Sequence, residues 1–155
     1  YIGSQSFYAS DSDASGNTIS IRPQNQPYTD PITDSVSISL YVSGGVYNYR
    51  QCSLLLHEGD DEPCIAVGRD SDQLFQINYS GDNNLIANIS SDQWVQVTVS
   101  DIDVSNNIFS VSWSAESDSG TETGISMNNN MNEGYTQTHI RVNNVDAYAD
   151  YLDIG

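Results

Sequence analysis

From Gln93 to Ala115 the chain reads QWVQVTVSDIDVSNNIFSVSWSA, and this stretch constrains the fold more than any other. Val95, Val97 and Val99 alternate with Trp94, Gln96, Thr98 and Ser100; Phe109, Val111, Trp113 and Ala115 alternate with Ser110, Ser112 and Ser114. Successive side chains of a strand point to opposite faces, so a period of two in β-branched and aromatic residues marks half-buried strands. Between the two runs, Asp101–Asn107 is rich in Asp, Ser and Asn, which favour turns by bonding their own backbone. The two runs thus form an antiparallel pair, with the valines, Phe109 and Trp113 in a core.

The same rhythm recurs along the chain. Thr18–Arg22 reads as a short strand, Pro23, Pro27 and Pro31 interrupt Arg22–Asp34, and Ser35–Ser43 alternates cleanly between Val36, Ile38, Leu40, Val42 and Ser37, Ser39, Tyr41. Strands are further expected at Val46–His57, Cys64–Arg69, Leu74–Tyr79, Leu85–Ile89, Gly124–Met127, His139–Val142 and Ala147–Ile154, with Glu116–Thr123 as a polar loop. No segment carries a helical period. Short strands with turns every eight to twelve residues predict an all-β, two-sheet antiparallel β-sandwich of jelly-roll type, with residues 1–155 as a single domain.

Charge narrows the partners. The formal net charge is −17, and all four basic residues are arginines (Arg22, Arg50, Arg69, Arg141). Such a field repels nucleic acid and anionic membrane surfaces, and more weakly a polyanionic ligand. No apolar run approaches the roughly 20 residues that cross a bilayer. The chain begins at Tyr1 without a Met, and few basic residues among many Asp, Asn, Ser and Thr suit a secreted, extracellular protein, expected to be a monomer.

The two cysteines, Cys52 and Cys64, flank SLLLHEGDDEP. If Gly59–Glu62 is a hairpin tip, they fall near one another on neighbouring strands, and a Cys52–Cys64 disulfide would add about 3 kcal/mol. Two buried thiols, or half of a metal site, are the alternatives; two Cys with His57 are too few for structural zinc. The disulfide is the expectation, in keeping with an oxidising compartment.

Three patches resemble the jelly-roll carbohydrate-binding modules of secreted polysaccharide-degrading enzymes and the related laminin-G/concanavalin-like sandwiches: SVSISLYVSG, DQWVQVTVSDIDVSNNIFSVSWSA, and the terminal DAYADYLDIG, with Asp150 at the family's aspartate position. The resemblance implies a sugar-binding accessory domain, with a catalytic domain in the same parent chain and often a structural Ca2+ ion. Asp11, Asp13 and Asp150 are the calcium candidates, because the termini of such sandwiches lie together and calcium takes six to eight oxygens. The pairs Asp70/Asp72 and Asp101/Asp103 have the same spacing, and in so acidic a chain such pairs also arise by chance.

A sugar offers hydroxyls and apolar C–H faces, which proteins grip with aromatic rings and planar polar groups. Strand parity sends Tyr41 outward, with Tyr47, Tyr49 and Gln51 on one face of Val46–His57, and makes these a candidate platform; rim packing is the alternative role for the tyrosines. Gln76 and Asn78 alternate with Phe75 and Ile77 and are expected to face outward on the same surface. His139 and Arg141 share an outward face. Trp94, on the polar face of its strand, is either a stacking platform or an anchor under a loop, whereas Trp113 belongs to the core.

Catalysis is the lesser expectation. Glu58, Asp60 and Glu62 have the alternate spacing of paired glycosidase carboxylates, but Gly59 and Pro63 predict a solvated turn there. VSGGVYNYRQ echoes the GVYNQ signature of alginate-lyase-type jelly rolls, whose Arg- and Gln/His-bearing partner strands are taken as absent. No strained Gly-x-Ser-x-Gly turn accompanies His57 or His139. A non-catalytic polysaccharide-binding module is therefore expected. The alternatives are a calcium-stiffened adhesive module of a surface protein and a small lyase or hydrolase.

Overall fold

The computed structural model describes residues 9–10, 19–21, 31–42, 52–59, 62–79, 82–142 and 147–154. Among them run twelve strands: β1 (Ala9–Ser10), β2 (Ile19–Ile21), β3 (Val36–Val42), β4 (Cys52–His57), β5 (Ile65–Arg69), β6 (Gln73–Gln76), β7 (Asn84–Asn88), β8 (Trp94–Asp103), β9 (Ile108–Ser114), β10 (Ser119–Ser126), β11 (Gln137–Val142) and β12 (Ala147–Ile154). They form two antiparallel six-stranded sheets, the first ordered β1-β12-β3-β8-β9-β10 and the second β2-β11-β4-β5-β6-β7. The sheets pack face to face as a jelly-roll sandwich. Sequence-adjacent strands pair in the hairpins β4–β5, β5–β6, β6–β7, β8–β9 and β9–β10, whereas β3 pairs with β8 and β12 by long crossings.

Alternation builds the first sheet as expected. Val36, Ile38, Leu40 and Val42 of β3 are fully buried, in register with Val99, Val97 and Val95 of β8, and Val111 and Phe109 of β9 complete that half of the core. Leu54, Leu56, Ile65, Val67, Leu74, Ile140 and Val142 face them from the second sheet. Trp113 packs at the core's margin over Gly120, its cross-strand partner; a Cβ at Gly120 would stand 2.3 Å from the indole ring, so a larger residue there would force the ring to shift. The β8–β9 turn is closed by Asp103, whose Oδ1 accepts from the backbone N–H of Ser105 and Asn106 and whose Oδ2 accepts from Asn106 Nδ2.

Several expectations are corrected. The segment read as a polar loop is largely β10, an exposed edge strand whose Ser, Thr and Glu side chains conceal the extended backbone from a hydropathy pattern. In the second sheet every residue of β4 and β5 is buried. The sheet is apolar on both faces there: Leu55, Ala66, Phe75 and Ile77 form a second cluster on its outer side, against Tyr79. Parity in β6 is therefore opposite to the expectation. Phe75 and Ile77 turn outward, and Gln76, 4% exposed, turns toward β10.

The expected disulfide is also overturned. Both cysteines are buried thiols. Cys52 lies opposite Arg69, whereas Cys64 donates its N–H to Leu56 O at the other end of the same strand pair. Cys64 sits close to the hairpin tip and Cys52 a full strand away, a separation of roughly 15 Å at the strand rise per residue, far outside disulfide reach. Burial pushes the Cys52 thiol up to about 12, although the neighbouring Arg69 opposes the shift.

Candidate functional site

Two outer faces and one edge cleft bring together the side chains capable of binding. On the outer face of the first sheet, β3 and β8 place Tyr41 directly opposite Trp94. Their rings meet with centroids 5.6 Å apart, tilted by 51°, within the range of favourable aromatic contacts. Trp94 is 43% exposed. Next to this pair, the register lays out two rows across four strands: Ser39, Gln96, Ser114 and Ser119, then Ser37, Thr98, Ser112 and Thr121. Neighbours in a row stand about 4.8 Å apart, and the rows about 6.7 Å apart. Ser37 and Thr98 share a 2.7 Å hydrogen bond between their hydroxyls. A shallow groove of about 380 Å³ runs over Gln96, Thr98, Ser112, Ser114, Ser119 and Thr121. None of these positions is charged, in a chain of net charge −17.

Asp150 borders this face. It lies on β12 opposite Ser39, between the inward Ala149 and a register shift that ends at Asp153. It is thus a strand residue on a sheet face. The other calcium candidates, Asp11 and Asp13, lie outside the described residues, as do Tyr47, Tyr49 and Gln51 of the tyrosine platform. Among the described residues no three carboxylate, imidazole or thiol side chains are grouped so as to hold a metal ion.

On the outer face of the second sheet, β11 carries Gln137, His139 and Arg141 at alternate positions, opposite His57, Leu55 and Ser53 of β4. The His57 and His139 rings lie 4.3 Å apart, and His139 Nε2 is 3.1 Å from Gln137 Oε1. Gln137 in turn donates from Nε2 to Gly59 O at 2.9 Å, which fixes its amide orientation. His57, His139 and Gln137 are nearly fully buried. The sequence pattern pairs His139 with Arg141 but misses His57 and Gln137. Extending the alternation of β11 back by two residues, and setting β4 beside it, would have found both.

Gln76 and Asn78 do not join that face. They line a cleft between β7 and β10, the free edges of the two sheets, together with Asn84, Asn128 and Glu122. Glu58, the first of the alternate acids, is a structural clip: Oε2 accepts from the N–H and Nδ2 of Asn132, and Oε1 from the N–H of Glu133, each at 3.0 Å. Burial would raise its pKa, but these hydrogen bonds outweigh it and hold the carboxyl below its ordinary value.

No protein-family model matches the chain, and no curated protein is similar to it in sequence. Among solved structures, a sialidase aligns at 7% identity and TM-score 0.47 over 87% of this chain and 13% of its own. Scytalido-glutamic peptidase aligns at 11% identity and TM-score 0.46 over 88% of this chain and 65% of its own. The chain thus spans less than two thirds of either protein. A marine alginate lyase from Aplysia kurodai aligns at 10% identity and TM-score 0.47, over 86% of this chain and 72% of the lyase.

Proposed function

We propose that the protein is a non-catalytic polysaccharide-binding module that contacts its ligand through the outer face of the first sheet. The observation that carries this reading is Trp94, 43% exposed and in ring contact with Tyr41, standing at the end of an uncharged field of hydroxyls and one carboxamide. An indole left that exposed loses the hydrophobic free energy of burial, and stacking on the C–H face of a sugar ring would recover it. Gln96 and the flanking hydroxyls supply both donors and acceptors for sugar hydroxyls, and Asp150 adds an acceptor at the margin. A flat face without a deep pocket suits a long ligand held by many weak contacts. Such a module, working outside the cell, would tether a catalytic domain of the same parent chain to its substrate.

Affinity electrophoresis through gels containing neutral and acidic polysaccharides tests the reading. At least one neutral polysaccharide should retard the wild-type chain, and Trp94→Ala should weaken that retardation about tenfold, equivalent to ~1.4 kcal/mol. Retardation by no glycan, or equal retardation of the variant, would overturn it.

The contact of His57 with His139, backed by Gln137 and near Arg141, favours a second reading: acid–base cleavage of a glycan on the outer face of the second sheet. Release of reducing ends or unsaturated products, lost in His139→Ala and retained in Trp94→Ala, would establish it.

A further inference from the structure

The cleft between the free edges of the two sheets has a composition unlike either face. It measures about 380 Å³, and its lining includes Gln76, Asn78, Asn84 and Asn128, with Glu122 the one charged residue among the described lining residues. Three of the carboxamides are locked together. Gln76 Nε2 donates to Ser126 O at 2.7 Å and to Asn128 Oδ1 at 3.0 Å, its Oε1 accepts from Asn84 Nδ2 at 3.0 Å, and Asn128 Nδ2 donates to Ile77 O at 2.7 Å. Gln76 is 4% exposed, so this network is part of the fold rather than a surface arrangement. It fixes which end of each amide faces the cleft before any ligand arrives, and preorganised polar groups bind without an ordering cost. The remaining walls are apolar: Ile86, Ile125, Met127 and Leu85, the last 55% exposed.

We propose that this cleft is a second sugar subsite that selects an N-acetylated amino sugar, an inference that rests on the polysaccharide-binding reading but uses a different surface. The volume lies at the small end of ordinary ligand sites, enough for a sugar ring and its substituent. Asn84 uses one amide proton on Gln76; its second proton and its carbonyl oxygen match the C=O and N–H of an acetamido group, as amides pair with amides. Glu122 accepts from a ring hydroxyl or from the acetamido N–H. The methyl of the acetamido group lies against Leu85 and Ile125, which a plain hexose would leave in water. A uronate would meet Glu122 with no basic side chain among the described lining residues to offset it.

The test is titration of isotope-labelled protein, monitored by amide NMR, with oligomers of N-acetylglucosamine, glucose and galacturonate. The expected result is movement of the Asn84 and Asn128 side-chain amide signals with the N-acetylated oligomer alone. Asn84→Ala should weaken that response at least fivefold, and Trp94→Ala should leave it intact. Asn84 is exposed, and the backbone spectrum of its variant reports whether the fold survives; Leu85→Ser probes the apolar wall independently. Equal movement with the glucose oligomer, or movement unaffected by both Asn84→Ala and Leu85→Ser, overturns the acetamido selectivity while leaving the Trp94 face standing. No response to any oligomer at the cleft, with shifts at the Trp94 indole, removes the subsite alone. Silence at both places removes the polysaccharide reading as well.

Discussion

Arg69 is the residue whose role is least visible in the sequence and most exposed to test. It belongs to the second sheet, is 0% exposed, and reaches across the sandwich: Nη1 donates to Leu40 O of β3 at 2.8 Å and to Gln93 O at 2.7 Å, and Nη2 to Ser90 O at 3.0 Å. It therefore ties the platform strands β3 and β8 to the opposite sheet, just beneath Tyr41 and Trp94. Burial pulls its pKa down to about 10, with the charges of Asp70 and Asp92 among the groups that oppose the shift, and it remains cationic at neutral pH. Arg69→Leu would strand three backbone carbonyls without their donor, two of them in the segment that leads into the Trp94 strand. The expected loss is about 3 kcal/mol or more in urea unfolding. Arg69→Lys, with one point donor in place of a planar fork, should lie between. Its neighbour Cys52 yields a companion prediction. Because both thiols are buried and Cys52 is held far from ionisation, neither should react with a disulfide reagent at pH 8 until denaturant is added, and a reductant should leave Tm unchanged. A Tm fall under reductant would restore the disulfide.

At the scale of elements, legibility tracks how one-sided each strand is. In β3 and β8 one face is apolar and the other polar, so period two places Tyr41 and Trp94 outward, as found. In β4, β5 and β6 both faces are apolar over Leu54, Leu55, Leu56, Ala66 and Phe75, and no alternation tells which face meets the other sheet. A register shift between Leu74 and Phe75 further separates β6 from a simple count. Gln76 is misplaced by alternation for that reason, and the cysteine pairing fails because hairpin register depends on distances to the tip, which composition does not mark. The Glu58 clip shows a related blindness: its partners Asn132 and Glu133 are 74 and 75 residues away. Its chemistry is predictive now that it is seen. A carboxyl whose folded pKa lies below its unfolded value stabilises the clip above the ordinary glutamate range, and the gain disappears as pH falls through the folded pKa. The Asn132 and Glu133 amides should thus lose hydrogen-exchange protection in the wild type as pH falls below the ordinary glutamate range. In Glu58→Gln they should be weakly protected at every pH. The group is largely solvated, so global stability should change by well under 1 kcal/mol. A pH-independent protection in the wild type would show that the carboxylate does not hold the loop.

For the whole molecule, the net charge of −17 and the uncharged platform make opposite demands on salt, and that contrast separates fold from function. Twenty-one acids set against four arginines repel one another in the compact state. Raising NaCl from ~0.01 M to ~0.5 M shortens the screening length from about 30 Å to a few ångströms, so the repulsion fades. Tm should climb by several degrees and then level off, since ~1 kcal/mol corresponds to about 2–4 °C in a domain of this size. Binding to the Trp94 face should not track that curve. Stacking and hydroxyl contacts with a neutral polysaccharide release no counterions, so the dissociation constant should stay within about twofold across the same series. A ligand that is itself acidic would instead bind more tightly as salt rises, because screening would relieve its repulsion from the chain. An affinity flat in salt on a protein whose Tm is not would fit a neutral glycan held by the uncharged rows of β3, β8, β9 and β10; an affinity that rises with Tm would make the ligand acidic and overturn that reading.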